Sequence, residues 1–164
     1  MPSIKKHGLL TGNLVYKPFR YPWCYDAWLT QQSIHWLPEE VPMSEDVQDW
    51  AVKLNESEKN LLTQIFRFFT QADVEVNNYY TDHCMNVFKP TEVKMMLSVF
   101  SAMETVHVAA YSHLLDTIGL PETEYSEFLK IKVMKDKYNY LQTCDVNSLH
   151  NIARTVAIFS AFTE

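Results

Sequence analysis

The stretch Ser101-Ala-Met-Glu104-Thr-Val-His107-Val-Ala-Ala-Tyr111 decides what this chain is, because it sets two metal-ligating side chains inside a long apolar helical run. At about 100° per residue, Glu104 and His107 share one helix face and can converge on one ion. Tyr111 falls one turn further along that face. A carboxylate among Met95, Met96, Leu97, Val99 and Phe100 on one side and Val108 and Ala109 on the other needs a partner or a metal once buried.

Around this segment the chain reads as helical throughout. It has 164 residues, 47% of them hydrophobic, which is enough for one sizeable core. Only three glycines occur, and the long runs without turn signals favour an all-α fold over a sheet protein. The net charge of −6 argues against phosphate-backbone binding, so no nucleic-acid partner is expected. No secretory signal stands at the amino terminus and no segment approaches twenty uninterrupted apolar residues, so a cytoplasmic protein without a membrane partner is expected. Cys24, Cys84 and Cys144 are odd in number and far apart, and are expected to be reduced thiols.

Residues 1–42 are expected to form an irregular arm, with prolines at 18, 22, 38 and 42 and a short helix over Tyr25 to Ile34. The aromatics of Tyr21-Pro-Trp-Cys-Tyr-Asp-Ala-Trp28 predict that the arm lies on a core. Residues 43–164 are expected to be a single helical bundle. Polar residues from Asn55 to Asn60 cap a long amphipathic helix that runs to about Phe88 and carries Asp73 deep within it. Pro90 opens the next helix, which runs to Ile118 and is closed by Gly119. A more polar helix is predicted from Glu122 to Tyr140, then a linker at Thr143 to Asn147. A last helix from Leu149 to Glu164 is capped by Asn147 or Ser148.

An acidic residue from one helix with Glu-x-x-His from the next is half of the ligand set of ferritin-like dinuclear carboxylate proteins. Carboxylates and imidazole suit iron or manganese, whereas a thiolate set would suit zinc or an iron–sulfur cluster. Asp73, Glu104 and His107 are the candidates here. His83, beside Asp82 and Cys84, is read as solvated or as supporting a ligand from outside the metal's own set, since adjacent helical residues diverge by about 100°, and His7, His35, His113 and His150 are given structural roles.

The chain resembles the small, radical-generating subunit of class I ribonucleotide reductase, amino-terminal portion, over nearly its whole length. The motifs are Tyr21-Pro-Trp, Ile34-His-Trp-Leu-Pro-Glu-Glu-Val41, Leu61 through Asn78, Phe88-Lys-Pro-Thr-Glu-Val93, Met103 through Gly119, and Phe159-Ser-Ala-Phe-Thr-Glu164. The resemblance implies an incomplete ferritin-like bundle in which Asp73, Glu104 and His107 ligate the first metal and Glu164 contributes to the second. It also implies that Tyr111 bears the radical, that Trp36 relays it, and that the cofactor is dinuclear iron, manganese or a mixed manganese–iron pair. The implied function is that of a ribonucleoside-diphosphate reductase small-subunit component. Its implied partners are the large subunit, a second small subunit in a homodimer, and a complementary carboxy-terminal fragment, because the family's second Glu-x-x-His helix is absent here. The alternative is a truncated or self-associating helical metal-binding or interaction protein without reductase activity.

Overall fold

A computed structural model describes residues 8–162, and no strand occurs among them. Eight α-helices follow one another: α1 (Pro22–Ser33), α2 (Ser44–Gln48), α3 (Glu56–Asn78), α4 (Met85–Val87), α5 (Thr91–Ile118), α6 (Glu124–Glu127), α7 (Lys132–Leu141) and α8 (Leu149–Phe162).

The frame is the antiparallel pair α3 and α5. Asn55 opens α3 with a capping box, its side chain accepting from Ser57 and Glu58 N–H while Glu58 accepts from Asn55 N–H. Gly119, at φ 75°, closes α5 in the left-handed conformation. Cross-contacts fix the register: Tyr80 meets Phe100, Ser101 donates to Asn77, and Phe69 stacks on Tyr111. Falling numbers on α3 thus face rising numbers on α5.

The expected long helix through Phe88 is interrupted. After Asn78 the backbone widens into a π turn over Tyr79–Cys84 before α4, which rotates Tyr79 and Cys84 into the core. There Tyr79 stacks on Phe159 at 4.1 Å. The polar helix expected over 122–140 is likewise broken. It appears as α6, a 3₁₀ turn at Phe128–Lys130, and α7. Phe128, buried in that 3₁₀ turn, points inward, and the extended Ile131 starts a new helix. Ser148 caps α8 by accepting from Asn151 N–H.

By length and apolarity α5 would suffice to cross a membrane, yet here it is the central helix, with α1 and α3 packed along it. All three cysteines are free and buried.

The arm is tied down by one carboxylate. Glu92, in the first turn of α5, is 0% exposed and accepts from the backbone N–H of Arg20 at 2.7 Å and of Tyr21 at 2.9 Å. Burial raises its pKa, but these N–H donors, with the charge of Arg20, more than offset that, so the pKa lies below the ordinary glutamate value. Glu92→Ala is expected to cost about 1–2 kcal/mol, since two charge-assisted hydrogen bonds are lost and two N–H groups are orphaned, partly offset by removal of a buried carboxylate whose Oε2 has no hydrogen-bond partner. A depressed folded pKa means stability that is present above the unfolded value of 4.5 and lost as pH falls below it. Urea denaturation from pH 3 to 7 should therefore show an acid limb in the parent protein that is flattened in Glu92→Gln.

Candidate metal centre

The register of α3 against α5 brings Asp73 opposite Glu104 and His107. The ligand atoms of these three residues all lie within 4.8 Å of one another. His107 Nδ1 stands 3.3 Å from Glu104 Oε2, as the three-residue spacing requires. The Glu104 side chain is 12% exposed and the His107 ring 40%, so the imidazole opens to solvent while the carboxylates are drawn inside.

Electrostatics show what the trio lacks. Burial, together with the charge of Glu104, pushes the Asp73 carboxyl up from 3.8 to about 6, with His107 pulling the other way. The Glu104 carboxylate, as hydrogen-bond partner, raises the His107 pKa against its desolvation. Asp73 Oδ2 is buried and has no hydrogen-bond partner. A buried, unpartnered carboxylate oxygen facing a second carboxylate and an imidazole suits a hard divalent cation, which neutralises the repulsion and occupies the free lone pairs. The residues fit the metal.

An open cavity of about 480 Å³ adjoins the trio, lined by Trp36 and Val41 from the arm, by Met43 just after it, and by Phe69 and Tyr111. Tyr111 stacks on Phe69 with centroids 5.9 Å apart and planes at 2°. Burial, and then the charge of Asp73, push its phenol above the usual value. Trp36 also borders a second open cavity, lined by Gln31, Ile34, Phe100, Met103, Glu104 and His107.

Asp73, Glu104, His107, Tyr111 and Trp36 therefore meet around one space. Glu164 lies outside the described residues, as does His7. His35, His113 and His150 are exposed and His83 is half-buried, none joining the ligand cluster. Sequence reasoning missed four contributors. Val41 and Met43 sit at the junction of arm and bundle, where no motif marks a cavity wall. Glu92 has one weak signal, an acidic residue just after Pro90 at a helix start, which ordinarily means dipole compensation alone. Glu75 is a buried carboxylate held by Gln71 at 2.9 Å and Gln142 at 2.6 Å, a structural tie between α3 and the end of α7.

An all-α bundle that gathers carboxylates and a histidine from neighbouring helices is a ferritin-like metalloprotein scaffold. Residues 13–164 match the family model described as "Ribonucleotide reductase, small chain", and the chain belongs to that family. It is 44% identical over 170 residues to a probable ribonucleoside-diphosphate reductase small subunit of Invertebrate iridescent virus 6, covering 95% of this chain and 47% of that relative. A counterpart from Invertebrate iridescent virus 3 is 43% identical over 180 residues, with 99% and 47% covered. In fold, the chain superposes on the ribonucleotide reductase R2 subunit from Clostridium botulinum with a TM-score of 0.76 at 22% identity, covering 84% of this chain and 45% of that one. Streptococcus sanguinis dimanganese(II)-NrdF gives 0.67 at 20% identity, with 80% and 47% covered. The chain spans about half the length of these relatives.

Proposed function

We propose that this chain is a small-subunit component of a ribonucleoside-diphosphate reductase, holding a metal with Asp73, Glu104 and His107 and generating a radical on Tyr111. The observation that carries this is the buried, unpartnered Asp73 Oδ2 beside Glu104 and His107, in a cavity that Tyr111 also lines. Family membership supplies the context.

When bound, a dinuclear iron, manganese or mixed centre supplies the oxidising power drawn from dioxygen. Asp73 sheds the proton that its raised pKa retains, and Glu104 steers the His107 ring. Phe69, flat against Tyr111, shields one face of that ring from water, as a stored radical requires. Trp36, between the cavity and the solvent side, is the candidate relay towards the large subunit. Glu164 is proposed as the first ligand of the second ion. The remaining carboxylate and Glu-x-x-His ligands come from polypeptide beyond these residues, which we take to be a complementary carboxy-terminal chain. Arm (1–42) and bundle (43–164) act as one domain, within a homodimeric, cytoplasmic assembly.

Anaerobic titration with Fe²⁺ or Mn²⁺, alone and with a polypeptide carrying a second Glu-x-x-His helix, tests the reading. Two ions per complex are expected, and exposure of the iron form to dioxygen should give a radical signal in electron paramagnetic resonance. Absence of metal binding with Asp73, Glu104 and His107 intact would overturn it.

A further inference from the structure

We infer that Glu92 is a positioning residue for the metal cavity: its carboxylate fixes the register of α1 on α5 and so sets Trp36 beside Glu104 and His107.

Two equal helical lengths run from a common origin. Glu92 holds the backbone N–H of Tyr21, the residue just before α1, and Arg20 N–H beside it. From that point α1 advances twelve residues, about 18 Å, to Ser33. From Glu92, α5 advances the same about 18 Å to Glu104. The two helices run side by side in the same direction. Near the origin Trp23 borders a space shared with Val93, Met96 and Leu97, and at the far end Gln31, Ile34 and Trp36 border one shared with Met103, Glu104 and His107. Whatever sets the start of α1 sets where Trp36 arrives.

At that start Glu92 supplies the polar hold, beside an apolar one from Tyr21, which packs against the core, and Cys24, which is fully buried in it. No side-chain cap holds the amino end of α1, and its apolar residues form no single stripe, since Trp23 and Leu29 are exposed while Cys24 is buried. The preceding strap adds Leu9 O accepting from Lys89 N–H at 2.9 Å, and Arg20 reaching Gly8 O and Asn13. These contacts hold the strap over the start of α5, while Glu92 accepts from the backbone N–H of Tyr21, the residue from which α1 departs. A fully buried carboxylate is an expensive device for a contact that a neutral side chain could make, and its orientation by two backbone donors gives it a defined geometry.

Reach should matter more than charge, and three variants separate the two. Glu92→Gln keeps the length and an acceptor oxygen, Glu92→Asp keeps the charge and loses one methylene, and Glu92→Ala loses both. Two readouts are taken on each: amide hydrogen exchange by mass spectrometry, and quenching of Trp36 emission by Co²⁺, with Trp36→Phe identifying that residue's share. The second readout rests on the ligand set proposed above.

In Glu92→Asp and Glu92→Ala, exchange over residues 20–36 should quicken about tenfold while residues 56–78 stay protected. Co²⁺ should still bind, with the Trp36 quench reduced by at least half. Glu92→Gln should stay closer to the parent than Glu92→Asp in both protection and quench. Parent-like exchange and quench in Glu92→Asp, or an equal loss of protection throughout the chain, would overturn the inference. If Co²⁺ does not bind the parent protein, the metal reading fails while the exchange pattern still decides the register.

Discussion

Replacing Asp73 with asparagine is expected to move metal affinity and metal-free stability in opposite directions. The metal loses an anionic ligand, so Fe²⁺ or Mn²⁺ affinity should fall by at least about 100-fold, beyond the effect usual for residues that only orient ligands. The metal-free chain should gain. A carboxyl pushed from 3.8 to about 6 by burial and by Glu104 opposes folding by roughly 3 kcal/mol at most once ionised. Solvent entering through the open cavity brings the gain expected from its removal to about 1–2 kcal/mol.

The sign with pH follows. Below about 3.8 Asp73 is protonated in both folded and unfolded chains and opposes nothing. Between that value and about 6 the folded state retains a proton the unfolded state has released, so the stability contribution falls as pH rises and the full penalty stands above 6. Chemical denaturation of the metal-free protein at pH 4, 5, 6 and 7 should show this decline in the parent and not in Asp73→Asn. Saturating Mn²⁺ should reverse it in the parent only. A residue kept for packing would show one loss of stability, with and without metal.

The second large effect is expected at Tyr111. Tyr111→Phe keeps the ring, its stack on Phe69 and the cavity wall, so stability should change by less than about 1 kcal/mol, and metal binding should persist. The radical signal should vanish, since phenylalanine has no phenolic proton to lose with the electron, and reductase activity reconstituted with a large subunit should vanish with it. Tyr79→Phe is the informative control. Tyr79 is the more deeply buried phenol, lodged against Cys84 and stacked on Phe159, but it lines the opposite space from the metal trio. Its loss should destabilise the core and leave the signal. Thermal unfolding and electron paramagnetic resonance on the same two samples distinguish a storage site from a packing residue.

The helical frame was largely legible because it is written locally. Asn55 with Glu58, Pro90 and Gly119 mark the ends of the two long helices, and Glu-x-x-His declares its own geometry from spacing alone. What escaped depends on contacts that spacing does not encode. The π turn over Tyr79–Cys84 shifts the helical phase by one residue to bury a tyrosine and a thiol, a choice made by Phe159 and the rest of the core far along the chain. The break at Phe128–Lys130 likewise follows the core's demand for Phe128. Asp73 is legible from the resemblance and from its helix, but its orphaned oxygen depends on how α3 packs against α5. Glu92 was indistinguishable from an ordinary acidic residue at a helix start until its partners, 71 and 72 positions away, were known.

Those separations carry a consequence for the order in which the molecule assembles. The α3–α5 hairpin that unites the three ligands is tied by contacts as short as the 24-residue span from Asn77 to Ser101, so its closure entropy is modest and it can form as soon as residue 118 has been made. The arm emerges first from the ribosome yet must wait for Glu92 before it has anything to hold. The ion's pocket is thus a product of early, local folding, and the tryptophan that borders it arrives later, by long-range docking.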